Sequence, residues 1–179
     1  MTDQFSVSQL PLFPEALLPP QKPQNTAKLR HYWLQPQDLP PWASSSPTLM
    51  RYLNLLGPLR WDDFPERDLQ RNWGQATIPY TALAAAELIK LEEGWQSTQQ
   101  LYRFLLEHPA LIWLLGFPLV LAPNQPLGFN ALASLPTPRH FNRLFRNLPN
   151  ARLQCLLADS VQLILAELHS LDLTPLSDL

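Results

Sequence analysis

Proline is the residue that most constrains this chain, because its 179 residues include 20 prolines and only 5 glycines. A proline inside a helix removes a backbone hydrogen bond and clashes with the preceding turn, whereas the first helical position accepts it. The chain therefore favours short helices that begin at prolines. Hydrophobic residues make up 46% of the sequence, enough for a packed core. No alternating run of Val, Ile and Thr predicts a strand, so we expect an all-α helical bundle.

Prolines also mark the expected domain boundaries. Eight of them, with a run of three serines, precede Pro47. This composition predicts a Pro-rich, extended and largely irregular tail over residues 1–46. In one interpretation its aromatic side chains pack on the domain. In the other the tail is an extended arm that binds DNA through a mildly basic patch around Lys28 and Arg30. We expect the helical module over residues 47–171 and a short C-terminal tail over residues 172–179.

Caps and apolar spacing locate the helices of the module. Ser46 precedes Pro47, and Ser97 with Gln100 has the spacing of a capping box. Apolar residues that recur at helical spacing then predict helices from Pro47 to Leu56, Tyr80 to Glu93, Ser97 to His108, Pro109 to Leu115, Pro138 to Leu148, and from Asn150 onward. We expect Cys155 to be buried as a small hydrophobe. A shared core is predicted for Leu111, Ile112, Leu114, Phe141, Phe145, Leu156 and Leu157.

The stretch SLPTPRHFNRLFRNL, residues 134–148, carries the functional signal. Thr137 is placed to cap a helix whose first residue is Pro138. One side of this helix is apolar, and the other carries three arginines, Arg139, Arg143 and Arg146. A short helix with a core side and an arginine side is typical of a helix laid on nucleic acid. A solvated surface helix is the alternative. The candidate DNA-binding residues are Thr137, Arg139, His140, Asn142, Arg143 and Arg146.

The distribution of charge also indicates that the region around this helix binds a polyanion. The whole chain has a net charge of −2, but residues 108–158 contain four arginines and no Asp or Glu, a local charge of +4. Such asymmetry is expected where one surface meets a polyanion.

Signals for catalysis and metal binding are missing from the sequence. The four histidines are isolated, Cys155 is the single cysteine, and there is no Gly-rich phosphate loop. The acids around Asp62 and Glu66 are expected to cap turns and helix starts. We therefore expect no enzyme activity, no metal and no cofactor. No signal peptide or membrane-spanning run is evident, so the expected location is cytoplasmic.

Several segments resemble a known family, the bacterial DDE-type insertion-sequence transposases. The chain is similar to their N-terminal, non-catalytic part in MRYLNLLGPLRWDDFPERD (50–68), LIKLEEG (88–94), HPALIWLLGFPLV (108–120) and GFNALASLPTPRHFNRLFRNLPNARLQCLLADSVQLI (128–164). These segments occur in this order and cover most of residues 47–169.

The resemblance implies an all-helical module that binds the terminal inverted repeats of the element as double-stranded DNA. The predicted helix order agrees with a helix-turn-helix-like arrangement, in which packed helices hold one exposed helix against a groove. In the family a ribonuclease-H-like catalytic domain follows, and its carboxylates have no match here, so we expect no transposition by this chain alone. A bacterial, nucleoid-associated location follows. The alternative is a helical interaction or regulatory protein that forms a homodimer, or that pairs with or represses full-length transposase.

Overall fold

The computed structural model describes residues 28–66 and 77–172, and helices dominate both ranges. Within these ranges there is no strand, only an isolated bridge between Leu121 and Phe129, so the predicted all-α class is confirmed. Two short 3-10 turns cover Pro36–Asp38 and Trp61–Asp63. The α-helices are α1 (Leu29–Leu34), α2 (Pro41–Ser44), α3 (Pro47–Leu56), α4 (Tyr80–Glu92), α5 (Thr98–Glu107), α6 (Pro109–Leu114), α7 (Ala131–Ser134), α8 (Pro138–Arg146) and α9 (Asn150–Asp172).

Helix starts follow the predicted caps. The Ser46 hydroxyl accepts a hydrogen bond from the Leu49 N–H at 3.3 Å, and Ser97 with Gln100 forms a complete capping box at the start of α5. Prolines occupy the first positions of α3, α6 and α8, where no N–H is needed. The short helix α7 was not predicted; Asn130 caps it by accepting from the Ala133 N–H.

The core is centred on α4, whose residues 82–86 are fully buried. Four of these five residues are alanines, and small side chains let the neighbouring helices approach closely.

The residues of the predicted core divide into two groups. Leu111, Ile112, Leu114, Phe141 and Leu156 are buried as predicted, whereas Phe145 and Leu157 are half-buried at its edge.

Residues 28–46 differ from the predicted irregular tail. They form α1, a 3-10 turn and α2, and α1 and α2 pack on α3. The rings of Tyr32 and Trp42 lie 5.0 and 5.1 Å from the ring of Trp113 on α6. The prolines shorten the helices here but do not prevent packing, because the aromatic residues between them supply apolar surface. Residues 1–27 of the predicted tail lie outside the described residues.

Gly57, which ends α3, permits a close approach by α1. A Cβ at this position would overlap Trp33 and lie 2.6 Å from the Leu53 carbonyl oxygen.

Hydrogen bonds hold the loop that follows α3. The Trp61 Nε1–H donates to the Leu56 carbonyl at 2.7 Å. Glu66 then accepts from the backbone N–H groups of Tyr80 and Thr81 at 2.5 and 3.3 Å. This confirms the predicted capping role for Glu66 and compensates for Pro79, which has no capping side chain.

The long helix α9 packs along its first half, and residues 161–166 beyond it are exposed. Leu156 is buried, whereas Val161 and Ile164 are 54% and 53% exposed. The Arg60 guanidinium anchors the helix by donating to both carboxylate oxygens of Asp159, at 2.5–3.1 Å. Cys155 is exposed, so its predicted burial is wrong: it lines an open surface pocket with Arg60, Phe64 and Asp159 instead of packing in the core. Of the predicted C-terminal tail, Asp172 belongs to α9, and residues 173–179 lie outside the described residues.

Candidate nucleic-acid interface

Helix α8 is held on the core by its apolar side. Phe141 is fully buried, with its ring 5.7 Å from that of Phe117, and Leu144 is also buried. The Thr137 hydroxyl accepts from the His140 N–H at 3.4 Å, as the predicted N-cap requires. Contacts with α4 and α5 flank the helix. A nine-residue helix is marginal by itself, so this packing is what fixes its position.

A partly buried ion pair lies under the end of α8. The Lys90 ammonium lies 5.9 Å from the centre of the Phe145 ring and 2.7 Å from Glu87 Oε1. Both charged side chains are about one-sixth exposed, at 16% and 17%. Because Glu87 balances the charge of Lys90, the net positive charge of this surface comes from the arginines of α8.

The predicted arginine face is confirmed. Arg139, Arg143 and Arg146 are all exposed on the side of α8 opposite Phe141 and Leu144. Within the described part of the chain, none of the three has an ion pair. Of the other described arginines, Arg30 pairs with Asp62, Arg51 with Glu92 and Glu93, and Arg60 with Asp159. Arg103 and Arg152, like the arginines of α8, have no ion pair within the described ranges. We call the surface of Arg139, Arg143 and Arg146 the arginine face.

Asn142 lies beside the arginine face but is tied to a neighbouring helix. Its side-chain carbonyl accepts a hydrogen bond from the Thr98 hydroxyl at the start of α5. The amide NH₂ remains as the donor on the outer side, so Asn142 is suited to an acceptor such as a phosphate oxygen or a purine N7. Sequence reasoning missed Thr98, because the capping box places it at the start of α5 but gives no sign of its partner 44 residues away.

The first turn of α8 offers fewer backbone donors than a free helix end. The Thr137 hydroxyl accepts a hydrogen bond from the His140 N–H, and Pro138 has no N–H. The Arg139 N–H is therefore the backbone donor that remains in this first turn. His140 itself is half-buried. The helix start therefore adds one backbone donor to the charge of the arginine face, and the arginine side chains supply most of the attraction for an anion.

The polar groups of Tyr52 and Asp159 have structural partners. Tyr52 donates to Glu93 at 2.6 Å, and burial together with this carboxylate raises the pKa of Tyr52. The hydrogen bonds from Arg60 hold the pKa of Asp159 below its ordinary value. Among the residues that the structure describes, no group of three His, Cys, Asp or Glu side chains could hold a metal ion. No helix in the same ranges has the length and apolar character needed to cross a membrane.

Comparisons with protein-family models, with curated proteins and with solved structures give no match to this chain. The arginine face and the packing of α8 therefore carry the functional argument.

Proposed function

We propose that this chain is a DNA-binding module, and that the arginine face of α8 is the surface that meets double-stranded DNA. One observation carries the proposal: three exposed arginines, with no carboxylate partner in the described ranges, share one side of a helix that the core holds rigidly. Guanidinium groups match phosphate and guanine edges by paired hydrogen bonds. Leaving three of them unpaired is favourable where a polyanion supplies the partners.

The arrangement around α8 agrees with a helix-turn-helix-like module. Helix α6 is buried, the linking segment includes α7, and α8 then presents its polar side outward. In this proposal Arg139, Arg143 and Arg146 contact phosphates or base edges. Asn142 donates from its amide NH₂, and Thr137 with His140 fixes the start of the helix. The link is longer than a tight helix-turn-helix turn, so the geometry is a variant.

The transposase part of the proposal rests on the family resemblance of the segments between residues 50 and 164. In this proposal the chain recognises the terminal inverted repeats of an insertion sequence. The resemblance also implies a location in the bacterial cytoplasm, at the nucleoid. DNA binding is the activity that tests this proposal.

The test is a salt titration of binding to a random-sequence duplex of about 20 base pairs, two turns of DNA. Each phosphate that an arginine neutralises adds about −0.9 to the slope of log K against log salt. The variant R139A/R143A/R146A should therefore flatten the slope by roughly 3. Arg143 and Arg146 also lie in the last turn of α8, so the loss of both should cost at most about 2 kcal/mol of stability through the helix dipole.

A second triple variant, R30A/R51A/R103A, is the matched control. It removes the same charge from exposed arginines on α1, α3 and α5. If the arginine face binds DNA, this control keeps most of the wild-type slope. Equal slopes for the two variants would show a general charge effect and contradict the proposal.

Selection from a random DNA pool is a second measurement. If the arginine face reads base edges, the wild type should select a preferred sequence and R139A/R143A/R146A should not.

A second candidate function is a helical interaction protein that pairs with a full-length transposase or with itself. The exposed apolar residues of α9 favour it, since isolated exposed leucines are ordinary but a cluster on one helix marks an interaction surface. This function does not exclude DNA binding, because α8 and α9 expose different residues.

A further inference from the structure

Thr98 is one of two buried polar residues in the part of the chain that the structure describes, and Ser134 is the other. Ser134 holds backbone groups, since its hydroxyl donates to the Asn130 carbonyl at 2.7 Å and accepts from the Val120 N–H at 2.8 Å. The Thr98 hydroxyl instead donates to the side-chain carbonyl of Asn142 on α8. Thr98 therefore connects a buried position on α5 with the surface beside the arginine face.

Capping of α5 does not explain the Thr98 hydroxyl. Ser97 performs that role, because its hydroxyl accepts from the N–H groups of Gln99 and Gln100 at 3.1 and 3.3 Å. Thr98 occupies the next position, the first residue of the helix. Valine has nearly the same shape as threonine, so packing at this position does not need a hydroxyl. What the hydroxyl adds is the hydrogen bond to Asn142.

The buried hydroxyl fixes the direction in which the Asn142 amide faces. Thr98 is only 8% exposed, so its O–H group needs an acceptor within the protein. The Asn142 carbonyl is that acceptor. If the amide were reversed, its NH₂ group would face the hydroxyl and the O–H hydrogen would lose its acceptor, which is costly at a buried site. The carbonyl of Asn142 therefore faces α5, and its NH₂ group faces outward.

Asn142 lies within the surface that the arginines form. It follows Arg139 by three residues and precedes Arg146 by four, and residues at these spacings are neighbours on a helix. The side chains of all three residues are exposed. A DNA duplex that meets Arg139 and Arg146 therefore also meets the NH₂ group of Asn142.

The direction of an asparagine amide decides which purine it recognises in the major groove. To read adenine, the carbonyl oxygen accepts from N6 while the NH₂ group donates to N7. In this structure the carbonyl faces Thr98, so both atoms cannot face one base together. The NH₂ group alone has two hydrogens, and guanine presents two acceptors, N7 and O6. Adenine instead places its own N6 donor where guanine has O6.

We propose that Thr98 is a positioning residue that makes Asn142 a donor-only contact and directs it to guanine rather than adenine. This inference rests on the proposed function of the arginine face and names the base that one of its positions recognises. Without the Thr98 hydroxyl, the Asn142 amide can rotate until both of its atoms face a base, which is the adenine arrangement.

The test measures binding of the full chain to variants of the duplex that the wild type selects from a random pool. Each base pair of this duplex is changed in turn, and the position whose preference is lost in Asn142→Ala is the Asn142 contact. There the wild type should bind a duplex with guanine about 10-fold more tightly than one with adenine, as for a specific base contact. Thr98→Val should bring this ratio to about 1 or reverse it.

Thr98→Ser is the matched control, because it keeps the hydroxyl and should keep the guanine preference. Thr98→Ala also removes the hydroxyl and should behave like Thr98→Val, so a folding defect in either variant does not decide the result. In the Asn142→Ala background, Thr98→Val should change no base preference. Neither residue is charged, so the salt slope should stay at its wild-type value in all of these variants. Circular dichroism shows which variants are folded.

The outcomes separate this inference from the proposed function. Equal weakening of guanine and adenine duplexes by Thr98→Val would mean that Thr98 only supports the packing of α8. A base preference that Asn142→Ala leaves unchanged at every position would mean that the amide donates to a phosphate. Either result, or an adenine preference in the wild type, overturns the inference but leaves the arginine face as the DNA-binding surface. A salt slope that R139A/R143A/R146A does not flatten contradicts the proposed function, and this inference with it.

Discussion

Helices α8 and α9 follow one another in the chain, yet they expose opposite chemistry. Helix α8 buries its apolar side on α4 and α5 and exposes three arginines. Helix α9 buries Leu156 in its first half and exposes Val161 and Ile164 in its second half. Both sequences have apolar residues at helical spacing. The spacing shows which residues share a side, but only the neighbouring helices decide whether that side is covered.

This difference separates two kinds of partner. A rigid, charged surface such as the arginine face favours a polyanion and should lose affinity as salt rises. An apolar surface such as that of Val161 and Ile164 favours another apolar surface, and salt weakens that association little. Binding to DNA and pairing of chains should therefore respond to salt differently in the same protein. The following variants test each half of the comparison.

Removing the buried anchor of α8 should have the largest effect. Phe141→Ala deletes a fully buried ring that contacts Phe117, and it should cost about 3–5 kcal/mol of unfolding free energy. Urea denaturation followed by circular dichroism measures the loss. Phe145→Ala is the internal control, since Phe145 is only half-buried and should cost clearly less. Equal losses would mean that both rings support α8 equally.

The two halves of α9 should differ in the same way. Leu156→Ala removes a buried side chain and should cost about 2–5 kcal/mol. Ile164→Ala removes an exposed one and should change the stability of the single chain by no more than about 0.5 kcal/mol. Thermal unfolding at several protein concentrations separates any contribution of association between chains, which depends on concentration. A large loss for Ile164→Ala at the lowest concentration would show that α9 packs along its whole length.

Sequence reasoning located most of the helices because their ends carry local signals. Ser46, Ser97 and Thr137 act on backbone groups within three residues, so the sequence alone contains the whole interaction. The arginine face could be predicted for the same reason. The helical repeat places Arg139, Arg143 and Arg146 on one side, opposite the apolar side that carries Phe141.

The errors have a common cause in contacts between distant parts of the chain. Cys155 was expected in the core because leucines surround it in sequence, but the core covers only one side of α9 at that point. The packing of α1 and α2 depends on Trp113, about 70–80 residues away. The hydrogen bond between Thr98 and Asn142 spans 44 residues. No local rule predicts such pairs.

Gly57→Ala tests the connection between α3 and the loop that leads to the anchor of α9. An alanine usually stabilises a helical position by about 0.4–1 kcal/mol relative to glycine. Here the sign should reverse, because the new methyl group would overlap Trp33 and approach the Leu53 carbonyl. We expect a loss of about 1–3 kcal/mol, as for overpacked cores. Gly94→Ala is unsuitable as a control, since Gly94 has a positive φ of 67°. Stabilisation by Gly57→Ala, measured in urea, would show that α1 does not pack on this residue.

The anchor itself should have the smallest effect and a distinct pH dependence. Asp159→Asn keeps the shape of the side chain but removes the charge that pairs with Arg60, and the mostly exposed Arg60 limits the loss at neutral pH to about 1 kcal/mol. The pKa of Asp159 is lowered by these hydrogen bonds, so the folded state favours its ionised form. The stabilisation is thus complete above the ordinary Asp pKa of about 3.9 and disappears as the pH falls through the lowered value. Urea denaturation should show a difference between wild type and variant at about pH 7 that shrinks as the pH falls below about 3.9. A difference of unchanged size through this acidic range would mean that Asp159 holds α9 by shape rather than by charge.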